Sequence, residues 1–410
     1  MELRIVICLW LSFPLGAQSL PSLVDEALRN NRDILAAQKR YEAAKQRPAQ
    51  EASLPDPTLS LGYTANGGPW PVAGIGTAAT SNAGIMISQE VPFPGKRKLR
   101  GEIAQTDAAA AFEQYRVVRL SVISRLEQAW HELHHAVVGI DYVHRYQELL
   151  RHILDVAQAR YSVGQGSQQE IFKAQTQFSI FETELLRFQQ EKTTRTIEIN
   201  ALLNRAPDTP VEIPLDIPTG ELPATLDQIL KEARANSPSL AIEQKLVERS
   251  ELAANLARKG YYPDYTLSGG YFNQGSMPSM WQVRVDVKLP AWFWDKQRAA
   301  VNEQYFTASE ARHSYESRGV DLDARIRSDY TLAATSRKLI DLYEKSVIPE
   351  ARLALESSMT SYETGSLDFL ALYSNFMNLV DYELRDHEEI MQFHLALARL
   401  REMAGTEMKP

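Results

Sequence analysis

The stretch AWHELHHA at 129–136 holds the most chemically loaded residues of the chain. Within it, His131, Glu132 and His135 satisfy the spacing H-E-x-x-H. On a helix, that spacing puts two imidazoles one turn apart on one face, where they can hold a zinc ion with Glu132 as the general base of a hydrolase. The surroundings argue against this chemistry. The longer form of the motif asks for a glycine at 138 and a histidine at 141, and the chain has Val138 and Asp141. A further acid such as Glu148 lies on the same run of helix, too far along to close a tetrahedron with the pair. The competing reading makes His131, His134 and His135 a solvated helix face, with a weak affinity for transition metals and with His144 and His152 farther along.

A very long helix must position these residues. From Gly101 to Tyr161 there is no proline, and Gly139 is the only interior glycine. Positions 115, 118, 122, 126, 129, 133, 136, 140, 143, 147, 150, 154, 157 and 161 advance by threes and fours. All but Gln147 are apolar or aromatic, which is the pattern of a coiled-coil seam. At 1.5 Å per residue, a helix over 96–163 is on the order of 100 Å long. A second such run over 296–363 contains Gly319 and Pro349, which predict bends.

The second run belongs to a duplication. LPDPTLSLGY at 54–63 matches YPDYTLSGGY at 262–271, LPSLVDEAL at 20–28 echoes LPATLDQIL at 222–230, and RYSVGQGS at 160–167 echoes SYETGSLD at 361–368. A constant offset near 200 means one long unit present twice. The first copy occupies 18–205 and the second 222–405, joined by a proline-rich connector at 206–221 that excludes a long helix. A short tail, 406–410, follows. Each copy opens with a helical segment (22–53 and 225–260) and continues with two strand-like stretches, 57–65 and 82–91 in the first, 263–273 and 281–289 in the second. Several of these alternate apolar and polar residues, VRVDVKL most clearly, and their lengths suit tilted strands crossing a bilayer. Each copy then closes with a helical hairpin, 96–204 and 294–404, reversed at a glycine-containing turn.

Composition narrows the class. A net charge of −8 and an isoelectric point of about 5.6 leave no basic face for nucleic acid. Residues 1–17 read as a secretory signal peptide, with Arg4 ahead of an apolar run and Pro14, Gly16 and Ala17 near the cleavage point. Cys8, the only cysteine, lies inside that segment, so the mature chain is expected to carry no thiol or disulfide. Cys8 sits mid-run and is not read as a lipid-attachment site. No later stretch has 18 consecutive apolar residues, so no spanning helix is expected.

Signal segment, tandem repeat, four strands and two hairpins of long helices together resemble the TolC-like outer-membrane efflux proteins of Gram-negative bacteria, over essentially the whole mature chain. The helix-tip pattern of that family is matched by Tyr161, Gly164, Ser167, Glu170, Ile171, Ala174 and Gln175, and in the second copy by Tyr362, Gly365, Asp368, Phe369 and Leu370. Two junctions, SQEVPFPGKRKLR at 88–100 and LPAWFWDKQRAAV at 289–301, are similar to those of the heavy-metal members, the CzcC and CusC type. In the first junction Pro92, Pro94 and Gly95 end a strand, and Lys96, Arg97, Lys98 and Arg100 read as a solvated helix start or as contacts to lipid headgroups. Trp281, Trp292, Phe293 and Trp294 read either as an aromatic girdle or as packing at the joint between strands and helices.

The resemblance implies a mainly α protein with a membrane β part. Three protomers would give four strands each to one 12-stranded β-barrel in the outer membrane, continued by an α-helical barrel into the periplasm. It implies a passive exit duct for heavy-metal cations, with a periplasmic adaptor and an RND-type inner-membrane pump as partners and with lipid around the barrel. It implies no catalytic residue, cofactor or resident metal. Tyr161, Gly164, Ser167, Glu170, Tyr362, Gly365 and Asp368 become the candidate adaptor contacts or gate. Glu170 and Asp368 are the carboxylates placed to favour cations, or else simple helix caps. Some members carry aspartates six and nine residues after the second tip glycine, where this chain has Ala371 and Ser374. Two rival readings stand beside this one: an outer-membrane duct for drugs or polypeptides, and a periplasmic coiled-coil scaffold without a pore.

Overall fold

The computed structural model describes residues 19–405 apart from 67, 69 and 71. The signal segment, Cys8 and the tail at 406–410 lie outside the described residues. Two compact units can be distinguished. One holds the described residues up to Leu35, Val118–Ser237 and Asp321 onward; the other holds Ala36–Val117 and Pro238–Val320.

The first copy runs α1 (Leu20–Asn30), α2 (Arg32–Ala44), α3 (Arg47–Ala52), β1 (Thr58–Thr64), β2 (Asn82–Val91), α4 (Lys96–Ser162) and α5 (Gln168–Leu203). The second runs α6 (Leu226–Asn236), α7 (Pro238–Lys259), β3 (Asp264–Gln274), β4 (Met277–Lys288), α8 (Arg298–Leu342), α9 (Ile348–Glu363) and α10 (Phe369–Ala404). β4 begins at Met277, four residues before the alternation starts. Pro278 hides that beginning in the sequence, and a strand tolerates it because β4 lies at the sheet edge.

α4 is continuous over 67 residues. Its seam is buried from Val122 through Leu126, Ala129, Leu133, Ala136, Val143, Leu150 and Ala157, and ends at the exposed Tyr161. Gln147, the polar exception, is also buried; its Nε2 donates to Glu182 Oε1 at 2.7 Å. Gly139 has a packing reason. A Cβ there would lie 2.6 Å from the ring of Phe188 on α5, so the two helices approach through a missing side chain.

The expected bends in the second long helix resolve differently. Gly319 sits inside the unbroken α8. Pro349 is preceded by a π-helical turn at Tyr343–Val347. Proline has no N–H for the carbonyl four residues back, and a widened turn absorbs that mismatch.

β1 to β4 form one antiparallel sheet in sequence order. The β2–β3 pairing, Met86 opposite Gly270 and Ser88 opposite Ser268, joins the two copies. β1 and β4 each keep one edge open. At the strand-to-helix junction Lys96 is buried, its Nζ donating to Asp264 Oδ1 at 2.8 Å and to the Tyr262 carbonyl at 3.1 Å. Arg97 donates twice to the Ala52 carbonyl, at 2.9 and 2.7 Å. The basic run is therefore not a solvated helix start at those two positions: its first two members tie strand, loop and helix together.

Candidate functional site

Three features bear on function: the faces of the sheet, the turns of the hairpins, and a histidine layer inside the helical unit. In the sheet, the register places Leu59, Leu61, Tyr63, Ile85, Ile87, Leu267, Tyr271, Trp281, Val283, Val285 and Val287 on one face. The other face carries Thr58, Ser60, Asn82, Ser88, Glu90, Thr266, Ser268, Gln282, Arg284 and Asp286. The apolar face is bare: Val283 is 86% exposed and Trp281 79%. In water so large an apolar surface is unfavourable, whereas in a bilayer it is the required one. Trp292, Phe293 and Trp294 are likewise exposed, which fits a girdle and not packing into the joint.

At the first hairpin turn Gly164 takes φ +75°, a left-handed conformation that reverses the chain after α4. Ser167 precedes α5, and its N–H donates to Glu170 Oε1 at 3.2 Å in a capping box. Gly365 does the same work at the second turn with φ +81°, and Asp368 caps α10 by accepting from the Ala371 N–H at 2.7 Å. Both candidate gate carboxylates thus have capping roles. The two turns are also bonded to each other. Tyr362, fully buried, donates its hydroxyl to Glu170 Oε2 at 2.7 Å. Arg160 donates to the Tyr362 carbonyl and lies 4.6 Å from the centre of its ring. Burial, and then the Glu170 carboxylate, push the Tyr362 phenol well above its ordinary range. Tyr161, by contrast, is exposed, together with Val163 and Leu370.

The histidines of AWHELHHA are not a solvated face. His131 and His134 are buried, and His135 is half-buried. The cause is α10, which brings His387 and His394 against them. His131 stacks on His394 with ring centres 4.1 Å apart and planes at 6°; His135 stacks on His387 at 5.1 Å and 13°. Ascending numbers on α4 meet descending numbers on α10, so the helices run antiparallel. His134 Nε2 is 2.8 Å from the Leu215 carbonyl in the connector; a carbonyl only accepts, so this nitrogen carries the proton. Glu132, the would-be general base, is paired with Arg195 of α5 at 3.1 Å. Among the described residues no group of three histidine, aspartate, glutamate or cysteine side chains is placed to hold a metal ion.

Loss of hydration pulls all five imidazoles below the ordinary histidine range. His394 falls to about 4 and His387 to about 3, neighbouring cationic groups and imidazoles adding to the burial. The ring nitrogens His131 Nδ1, His135 Nδ1, His387 Nε2 and His394 Nε2 are buried without partners. Sequence reasoning missed His387 and His394. Their spacing of seven puts them on one helix face, but nothing in a single sequence sets the register of α10 against α4.

The family model described as outer membrane efflux protein matches residues 23–205 and 229–376. The outer membrane protein TolC of Vibrio cholerae serotype O1 is 21% identical over 415 residues, spanning 97% of this chain and 92% of that relative. The probable outer membrane lipoprotein SilC of Salmonella typhimurium is 34% identical over 124 residues, 30% of this chain and 26% of SilC. A crystal structure of CusC superposes with a TM-score of 0.80 at 15% identity, covering 95% of this chain and 92% of CusC.

Proposed function

This chain belongs to the outer membrane efflux protein family, and from that premise we propose that it is the outer-membrane duct of a tripartite efflux system for heavy-metal cations. The protein is an outer-membrane efflux channel that extends into the periplasm. The observation that carries the proposal further is the sheet: a bare apolar face, a polar face and two open edges. Four strands cannot close a barrel, and an open edge is intolerable in lipid. Three copies, at four strands each, supply 12 strands and remove every edge. The polar face then lines water and the apolar face meets lipid. The two repeats, 18–205 and 222–405, give six similar units around one axis, with the helical hairpins continuing the barrel into the periplasm.

In this reading the duct performs no chemistry. An inner-membrane pump supplies energy and selection, and a periplasmic adaptor grips the turns that carry Tyr161, Gly164, Ser167, Glu170, Tyr362, Gly365 and Asp368. Exposed Tyr161, Val163 and Leu370 suit such a contact. Glu170, held by Tyr362, suits a gate that opens when the two turns part. Heavy-metal cargo rests on the likeness of the two junctions to the CusC type and on the SilC match.

Elemental analysis tests the cargo. A strain lacking the gene, challenged in turn with copper, silver, zinc, cobalt and cadmium, should accumulate one or two of them, and the restored gene should reverse it. Normal content of all five with retained dye or drug would replace the cargo and leave the duct.

A further inference from the structure

We propose that the groove between α4, α9 and α10 is a binding site for a small organic polycation, a molecule carrying two or more ammonium groups on a hydrocarbon chain. The groove has a volume of about 560 Å³, within the range of small-molecule sites. Its apolar surface comes from Tyr142, Ile348, Pro349 and Leu353, and its acids are Glu344, Glu356, Glu383 and Asp386. The widened turn at Tyr343–Val347 carries Glu344, and Ile348 and Pro349 follow it, so the irregular stretch of the second long helix forms one wall. Turns of this type often mark functional positions.

Asp386 points to a ligand. It is 8% exposed, yet its Oδ1 has no hydrogen-bond partner. A buried carboxylate without a counter-charge is unfavourable, and burial together with Glu344, Glu383 and Glu389 pushes its carboxyl up to about 7. The nearby cations are already engaged. Arg352 donates to Glu383 Oε1 at 2.6 Å, and Arg145 pairs with Asp141 at 3.1 Å. Glu383 also accepts from the Tyr146 hydroxyl at 2.7 Å. Glu344, Glu356 and Asp386 form no ion pair among the described residues, so the groove holds uncompensated negative charge.

Spacing decides the kind of cation. These acids do not converge closely enough for three of them to share one metal ion. Separate acids along a partly apolar groove match separate ammonium groups joined by methylenes, with the chain lying over Ile348, Pro349 and Leu353.

The test uses the full-length protein in lipid nanodiscs and spermidine as the probe, with heat of binding as the readout at low ionic strength and pH 8. Saturable binding is expected, weakened at least tenfold by Asp386→Asn and by Glu344→Gln. Asp381→Asn, which alters an exposed α10 acid already paired with Arg385, should leave it unchanged. Melting temperatures no lower than the parent's separate loss of the site from loss of the fold. Binding insensitive to both groove substitutions, an absence of saturable heat, or displacement by an equal concentration of magnesium would each overturn the proposal. The measurement needs neither pump nor cargo, so it stands apart from the efflux reading.

Discussion

His131, His134, His135, His387 and His394 make the helical unit sensitive to acid, and the sign follows from burial. Each folded-state pKa lies below the unfolded value of about 6.5. The unfolded chain therefore binds protons first as pH falls. Stability contributed by neutral burial is complete above about 6.5 and is lost down to about 4 at His394 and about 3 at His387. Each group titrating only when unfolded costs about 1.4 kcal/mol per pH unit. Asp386 acts in the opposite sense: its carboxyl is raised to about 7, so the folded state is penalised above that value and relieved as pH falls toward 4. Denaturant titrations between pH 8 and pH 5 should show stability falling on acidification, with a shallower slope in His387→Gln and His394→Gln. Asp386→Asn should be more stable than the parent at pH 8, and that advantage should shrink toward pH 4. A flat profile in the parent would remove the account. At this same scale Glu132, which a zinc hydrolase would need as its general base, is paired with Arg195, and the imidazoles stack on other imidazoles.

At the scale of elements, two interior glycines that look alike in sequence differ in consequence. A Cβ on Gly139 meets the Phe188 ring at 2.6 Å, whereas at Gly319 nothing lies within 4 Å. Gly139→Ala should therefore destabilise by about 1–3 kcal/mol through overpacking. Gly319→Ala should stabilise by roughly 0.5–1 kcal/mol, because alanine favours the helix and no neighbour must move. Thermal melts of the two variants check both signs, and equal shifts would contradict the close approach of α4 and α5. At the second turn, Asp368→Ala removes the acceptor for the Ala371 N–H and should cost about 1 kcal/mol of helix stability, also read by melting.

For the whole molecule, the two faces of the sheet predict an asymmetric response to charge. Val283→Lys on the apolar face should cost about 2–4 kcal/mol in the bilayer and deplete the protein from the outer-membrane fraction. Gln282→Lys, one residue away on the polar face, should assemble normally. Cross-linking and fractionation of both variants provide the check. Equal assembly would mean that the apolar face does not meet lipid, and a monodisperse soluble monomer of the parent would contradict the proposed trimer.

Sequence periodicity was enough for the α4 seam, the four strands and the glycine turns, because each rests on neighbours within a few residues, whereas the repeat came from matching stretches such as 54–63 and 262–271. A period of 3.5 or of 2 assigns a residue to a face whatever the partner is. The seam from Val122 to Ala157 and the alternation of VRVDVKL were legible for that reason. Only the tertiary structure decided what met those faces. The register of α10 against α4 turned an apparent solvated row into a packed layer of five imidazoles, three of them buried. The packing of the second long helix around Pro349 left Asp386 buried without a partner. The junction folded Lys96 and Arg97 inward onto Asp264 and Ala52. Those contacts join residues far apart in the chain, Arg97 to Ala52 and His131 to His394 among them, and their burial depends on how whole helices dock, which no local spacing encodes.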